Sequence, residues 1–223
     1  MVATAGAVVR DLLVDGCSAG SFGGGIYLNG ATPAMERVRL TNSRATLGGG
    51  MYLTGSAPQL KNVIVSGCTA AESGGGIWVG PGSTLAAPLD ITNSHVATGG
   101  SGGGLTVTGG TVNVLPGSRI SDCSASTGGL IEVSGADTIL TVDESVLSNG
   151  NSPNSNGGCM NFKGSVSATF RKTTIDSCTA SQEGGIFSSA TDGMVHIYDN
   201  ARMSSSPARF PTARKSECAC SLA

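Results

Sequence analysis

A run of two or three glycines followed by an aliphatic residue recurs along this chain, and that beat limits the possible fold more than any other feature. The clearest copies are Gly23-Gly24-Gly25-Ile26, Gly48-Gly49-Gly50-Met51, Gly74-Gly75-Gly76-Ile77 and Gly102-Gly103-Gly104-Leu105. Gly128-Gly129-Leu130-Ile131, Gly157-Gly158-Cys159-Met160 and Gly184-Gly185-Ile186 continue the series in weaker form. The aliphatic residue steps forward by 25, 26, 28, 26, 29 and 26 residues. A second landmark keeps the same time: Cys17, Ser43, Cys68, Ser94, Cys123, Asn149 and Cys178. Three positions before it stand Val14, Leu40, Val65, Ile91, Ile120, Val146 and Ile175. A fixed period of this size marks a solenoid, in which each repeat buries its apolar face only against its neighbours.

Helical repeats do not suit glycine-rich segments with two-residue alternation, and the Leu-x-x-Leu-x-Leu ladder of leucine-rich repeats is absent. Short strands remain, such as Ile26-Tyr27-Leu28, Val38-Arg39-Leu40 and Val63-Ile64-Val65, whose alternate residues can point inward. The sequence therefore predicts an all-β, right-handed, single-stranded parallel β-helix of about seven or eight coils of 25–29 residues, stacked ~4.8 Å apart. Three interior files are expected. One starts at Val14, a second runs Ile26, Met51, Ile77, Leu105, Ile131, Met160, Ile186, and a third runs Leu28, Leu53, Val79, Val107, Val133, Phe162. The repeat domain is assigned to residues 1–203. Residues 204–223, with Pro207, Pro211, Arg209, Arg214, Lys215, Cys218 and Cys220, read as an irregular tail.

Composition agrees. Glycine numbers 35 of 223 residues while aromatics are 4% and charged residues 13%, too few charges for a disordered chain and too few rings for a compact globular core. A net charge of −2 gives no field that would draw nucleic acid or an anionic membrane. No apolar run approaches the roughly 20 residues that span a bilayer. The start, Met1 to Arg10, lacks a basic segment ahead of its apolar part and so has no signal-peptide pattern. With no cap visible there, further coils or another domain upstream are expected.

Opposite charges are expected to stack on neighbouring coils: Asp11 with Arg37, Asp90 with Arg119, Asp143 with Lys172. Cys17, Cys68, Cys123 and Cys178 fall on alternate coils about 9.6 Å apart. That exceeds the roughly 7 Å Cα separation a disulfide tolerates, so the column cannot cross-link itself and reads as a ladder of small buried thiols.

The repeat resembles the polymorphic outer-membrane-protein repeat of chlamydial autotransporters, whose hallmarks are Gly-Gly-Ala-Ile and Phe-x-x-Asn. Residues 23–26 and 74–77 match the first with glycine for alanine, and Val146-Leu147-Ser148-Asn149 matches the second with valine for phenylalanine. Where the Asn position carries Cys or Ser, as at Cys68, the pattern is similar to cysteine-bearing variants in pectin-lyase-like surface proteins of unicellular eukaryotes. The likeness covers roughly residues 7–203. It implies extracellular or cell-surface display and adhesion and carries no catalytic residues; the cysteines are not clustered as metal ligands would be, and no cofactor is expected.

The sharpest functional candidate is a column of rings between the inward residues of one strand. Tyr27, Tyr52 and Trp78 stand on consecutive coils, followed by Thr106, Glu132 and Asn161, with Phe187 expected to close it. Four of only nine aromatics would share this outward position. Rings on a rigid face bind sugars or a partner's apolar patch, although cross-strand stabilisation alone also places rings there. The expected function is a structural or adhesive β-helical module of a larger surface or secreted protein, whose partner is a glycan or another surface protein. The alternative is a polysaccharide-active lyase or hydrolase, which would need about three carboxylates converging on one point. Fold alone does not imply that activity.

Overall fold

A computed structural model describes residues 6–97, 99–182, 184–190, 194–198 and 201–204. The chain winds as an all-β parallel solenoid of about seven turns, and no helix occurs among the described residues. The longest sheet runs from Val8–Asp15 through Ala34–Thr41, Ile64–Ser66, Asp90–Thr92, Arg119–Ser121, Val146–Ser148 and Thr174–Asp176 to Arg202–Ser204. A second wall stacks Ile26–Asn29, Met51–Thr54, Ile77–Val79, Leu105–Thr108, Ile131–Ser134, Met160–Lys163 and Phe187–Ala190. A third begins at Thr84–Ala87 and ends at Met194–Tyr198. Every strand pairing is to the preceding or following coil. Of the expected tail, Ser204 ends the last strand of the longest sheet; residues 205–223, including Cys218 and Cys220, lie outside the described residues.

The interior files form because period-2 alternation sends every second side chain of each strand inward. Ile26, Met51, Ile77, Leu105, Ile131 and Met160 are paired in order and at most 1% exposed. Leu28, Leu53, Val79, Val107, Val133 and Phe162 are all fully buried. Each buried aliphatic contributes roughly 1.5–3 kcal/mol relative to exposure.

The corner that ends the longest sheet explains the Cys/Ser landmark. The residue just before it has positive φ on every coil: Gly16, Asn42, Gly67, Asn93, Asp122, Asn149 and Ser177 lie between 52° and 65°. Such a left-handed residue is cheap for Gly and tolerable for Asn or Asp. The landmark side chain then turns inward and donates to the carbonyl two residues back. Ser43 reaches Thr41 at 3.1 Å, Ser94 reaches Thr92 at 3.2 Å and Cys123 reaches Ser121 at 3.1 Å. A small side chain with one donor fits that place, which is why Cys and Ser alternate there.

Two coils depart from the register read from the sequence. Ile120 pairs with Leu147, which pairs with Ile175, so Leu147 and not Val146 belongs to the interior file. Val146 is 44% exposed. This part of the coil slips by one because Asn149 takes the left-handed corner, where its amide donates to Asp122 at 2.8 Å, while Met160 and Phe162 farther on keep the expected register. Gly150 therefore holds the landmark place and Ser152 stacks on Ala180. On the last coil Met160 pairs with Phe187, so Ile186 is not in the file it was assigned to.

The third glycine place bears on both departures. A Cβ on Gly50 would come within 3.1 Å of Cys68 Sγ, and one on Gly104 within 3.3 Å of Cys123 Sγ. The third glycine thus faces the landmark of the following coil across the interior. Later coils fill it with Leu130, Cys159 and Ile186, shown by the Leu130 N–H donating to the Cys159 carbonyl and the Cys159 N–H to that of Ile186. Opposite Leu130 stands Gly150, whose own Cβ would be 2.8 Å from Leu130 Cγ: a large residue on one side requires none on the other. Opposite Cys159 stands Cys178, and these two form a disulfide with Cα atoms 5.3 Å apart.

That bond corrects the expected thiol ladder. The column does not cross-link itself, but Cys178 is bonded to a residue outside it, and Cys17 is exposed. Cys68 and Cys123 are free and buried, and burial pushes their thiols up to about 11 and about 12. They are inert at neutral pH. Among the charge pairs, Arg37 grips Asp11 through two contacts of 2.6 and 2.9 Å as expected. Asp90 and Arg119 are in register, but Arg119 turns to Asp122 at 3.3 Å. Lys172 meets Glu144 at 2.9 Å, because the slipped coil sets Asp143 against Arg171.

Candidate functional site

The second wall carries the ring column. Pairing places Tyr27 over Tyr52, Tyr52 over Trp78, then Thr106, Glu132 and Asn161 in the same file. Ser188 continues it and Phe187 does not. With Ile186 in the third-glycine place, Phe187 is half-buried, packs against the core, and meets the edge of Phe162 at 6.2 Å.

Phe22 takes the fourth place instead. It precedes Gly23, whose φ of +58° reverses the chain so that the residue before the glycines and the second residue after them come together. The Phe22 ring lies 6.1 Å from Tyr27 and 4.7 Å from Tyr52. Thr106 shows the same corner in polar form: its hydroxyl donates to the Ser101 carbonyl, five residues earlier, at 3.3 Å. The spacing of five across a glycine run was the available signal for Phe22.

The column, expected to point outward, is largely buried beyond its first residues. Tyr52 is 8% exposed, Thr106 2%, and Glu132 and Asn161 each 3%. Tyr52 and Trp78 lie parallel, 4° apart with centroids 4.4 Å apart, and Tyr27 stacks on Tyr52 at 5.5 Å. Tyr52 therefore has both ring faces covered, and burial pushes its phenol above the usual range. The Trp78 ring also covers Gly80, where any Cβ would collide with it. Tyr27 and Trp78 are each partly exposed, and Phe22 is the most open ring of the cluster, at 43% exposed. A shallow depression of about 430 Å³ opens there, lined by Ser18, Ser21, Phe22, Gly23, Gly24 and Tyr27.

Farther along the same file sits a buried carboxylate. Glu132 accepts from the Asn161 amide at 2.7 Å and from Lys163 at 2.9 Å. Burial raises its pKa, and Lys163 and Asn161 offset that only in part. Elsewhere His95 shares a hydrogen bond with Thr69 at 3.1 Å and His196 stacks on Tyr198. Among the described residues no three His, Cys, Asp or Glu side chains are grouped so as to hold a metal ion. Comparison with protein-family models, with curated proteins and with solved structures finds no match to this chain.

Proposed function

We propose that this chain is a rigid scaffold module of a surface or secreted protein, and that its recognition element is the aromatic corner formed by Phe22, Tyr27, Tyr52 and Trp78. The observation that carries this reading is the division of labour within the ring cluster. Tyr52 and Trp78 stack tightly against each other and the backbone, whereas Phe22 leaves an apolar face 43% exposed beside a depression. An exposed ring held in place by rings beneath it costs little order on binding. The continuous parallel ladder gives that corner a stiff support. The Cys159–Cys178 disulfide suits the oxidising compartments in which surface and secreted proteins reside. The pattern shared with autotransporter repeats favours display and adhesion in the same sense.

The test is a comparison of two double variants, Phe22→Ala/Tyr27→Thr and Tyr52→Thr/Trp78→Thr, on arrays of immobilised glycans and extracellular proteins, with thermal melting in parallel. The first pair loses binding with little change in melting; the second lowers the melting temperature. If the first pair retains every interaction of the parent, the corner is structural only and the reading fails.

A further inference from the structure

Farther along the file from the rings, Glu132, Asn161 and Lys163 meet in one place. We propose that Lys163 and Asn161 join there in an intramolecular isopeptide bond, with Glu132 as the acid–base residue that moves the protons.

The geometry holds both reactants on one acid. Lys163 Nζ lies 2.9 Å from Glu132 Oε1, and Asn161 Nδ2 donates to Glu132 Oε2 at 2.7 Å. Asn161 and Lys163 are alternate residues of the strand Met160–Lys163, so both point to the same side, about 6.6 Å apart at Cα by the rise of a strand. The four-carbon lysine stem spans that distance. Thr106 precedes Glu132 in the file and Ser188 follows Asn161, while Ser134 and Ala190 flank Lys163. Described coils therefore enclose the triad on both sides, and none of these four neighbours brings a second charge.

Burial separates this triad from an ordinary ion pair. Glu132 and Asn161 are each 3% exposed, whereas the acids that meet the lysines Lys61 and Lys172, Glu36 and Glu144, are 24% and 48% exposed. An exposed acid keeps its charge and holds its lysine by attraction alone. Burial disfavours the charge on Glu132 and so lets it take a proton from an ammonium.

The step balances within the three side chains. Glu132 Oε1 accepts a proton from the Lys163 ammonium, and the freed lone pair forms the bond from Nζ to Cγ of Asn161. The carboxyl then gives its proton to Nδ2, the leaving nitrogen it already touches. The Cγ–Nδ2 bond breaks, and ammonia departs as ammonium with the further proton that Nζ sheds. Glu132 ends as the carboxylate it began as, and no oxidant or added reagent takes part. The Lys163 side chain is 50% exposed, which gives the leaving group a way to water. Fixing amine and carboxamide on one acid supplies the proximity that amide exchange in solution lacks.

Mass spectrometry of the full chain, purified folded and then denatured and reduced, tests this. Closure of the bond is expected to remove about 17 Da, the mass of ammonia. It should also abolish tryptic cleavage after Lys163, leaving residues 120–171 as one fragment that carries the deficit. Glu132→Gln and Lys163→Arg should both keep the full sequence mass in that region, with circular dichroism showing that each is folded. A folded parent at full mass, cleaved normally after Lys163, overturns the proposal. So does a deficit with Lys163 still cleaved, which marks a succinimide at Asn161, or a deficit that persists in folded Glu132→Gln. A deficit that persists in Lys163→Arg overturns it whether or not Glu132→Gln folds. None of these outcomes depends on what the aromatic corner binds.

Discussion

Cys159→Gly is the most informative single change in this fold. It restores the residue that the first four coils carry at this place, and the landmark opposite it, Cys178, reverts to a buried thiol of the kind found at Cys68 and Cys123. The substitution thus removes the cross-link and recreates an arrangement the chain already uses twice: a Cβ-less position at Gly50 facing Cys68, and at Gly104 facing Cys123. Steric side effects are small, so the loss reads out the covalent constraint. The bond spans a sequence separation of 19. Loop-closure entropy for a loop of that size gives about 3 kcal/mol at 25 °C.

Because a solenoid couples each coil only to its neighbours, the loss should be local. Urea titration of parent and Cys159→Gly, with and without reductant, should show the parent destabilised by about 3 kcal/mol on reduction and the variant indifferent to it. Hydrogen exchange should accelerate in the strands Met160–Lys163, Thr174–Asp176 and Phe187–Ala190, with little change at Ile26–Asn29. A parent whose midpoint does not move on reduction, or an acceleration spread evenly over all coils, would refute the pairing of third glycine and landmark on which this rests.

Two further outcomes follow from the same geometry. Leu130→Gly also returns a coil to the commoner residue, yet it should cost about 4 kcal/mol by chemical denaturation, because Leu130 is fully buried and Gly150 has no side chain to fill the cavity. Glu132→Gln should change how stability depends on pH: burial raises the Glu132 pKa above its ordinary 4.5, so its ionised form is disfavoured in the fold and the parent loses that increment of stability as pH rises from 4.5 through the raised value. The variant should lack this decline in melting temperature above about pH 4.5, while both proteins weaken below about pH 4, where Asp11, Asp15 and Asp122, held low by their hydrogen-bond partners, become protonated.

The period of the glycine runs and the alternation within strands were enough to read the solenoid and most of its interior files, since both are consequences of stacking identical units. The register failed where the sequence substitutes one steric solution for another. Asn149 looked like a member of the Cys/Ser landmark because it stands 26 residues after Cys123, but asparagine tolerates the left-handed corner and takes it, as Asn42 and Asn93 do. Reading the Gly/Asn/Asp series as a column of its own would have placed Leu147 and Gly150 correctly. Phe187 was misplaced for a related reason: Gly184-Gly185 was matched to the last two glycines of the triplet when it matches the first two, with Ile186 in the third place.

The disulfide lay beyond reach of spacing within the landmark column because it joins that column to the glycine run. These are separate in sequence and face each other only once coils are stacked. The same reasoning bears on the ring cluster. A column of outward positions looks equivalent in sequence, but on a corner each ring is sheltered by the coil beyond it, so access is set by position along the axis. Tyr52 and Trp78 are spent on each other, and the glycine reversal that brings Phe22 against them leaves its ring as the most open of the cluster. The corner thus grades from an open ring at Phe22 to a sheltered one at Tyr52, and chemistry elsewhere in the file reaches those rings only through the stiffness of the stack.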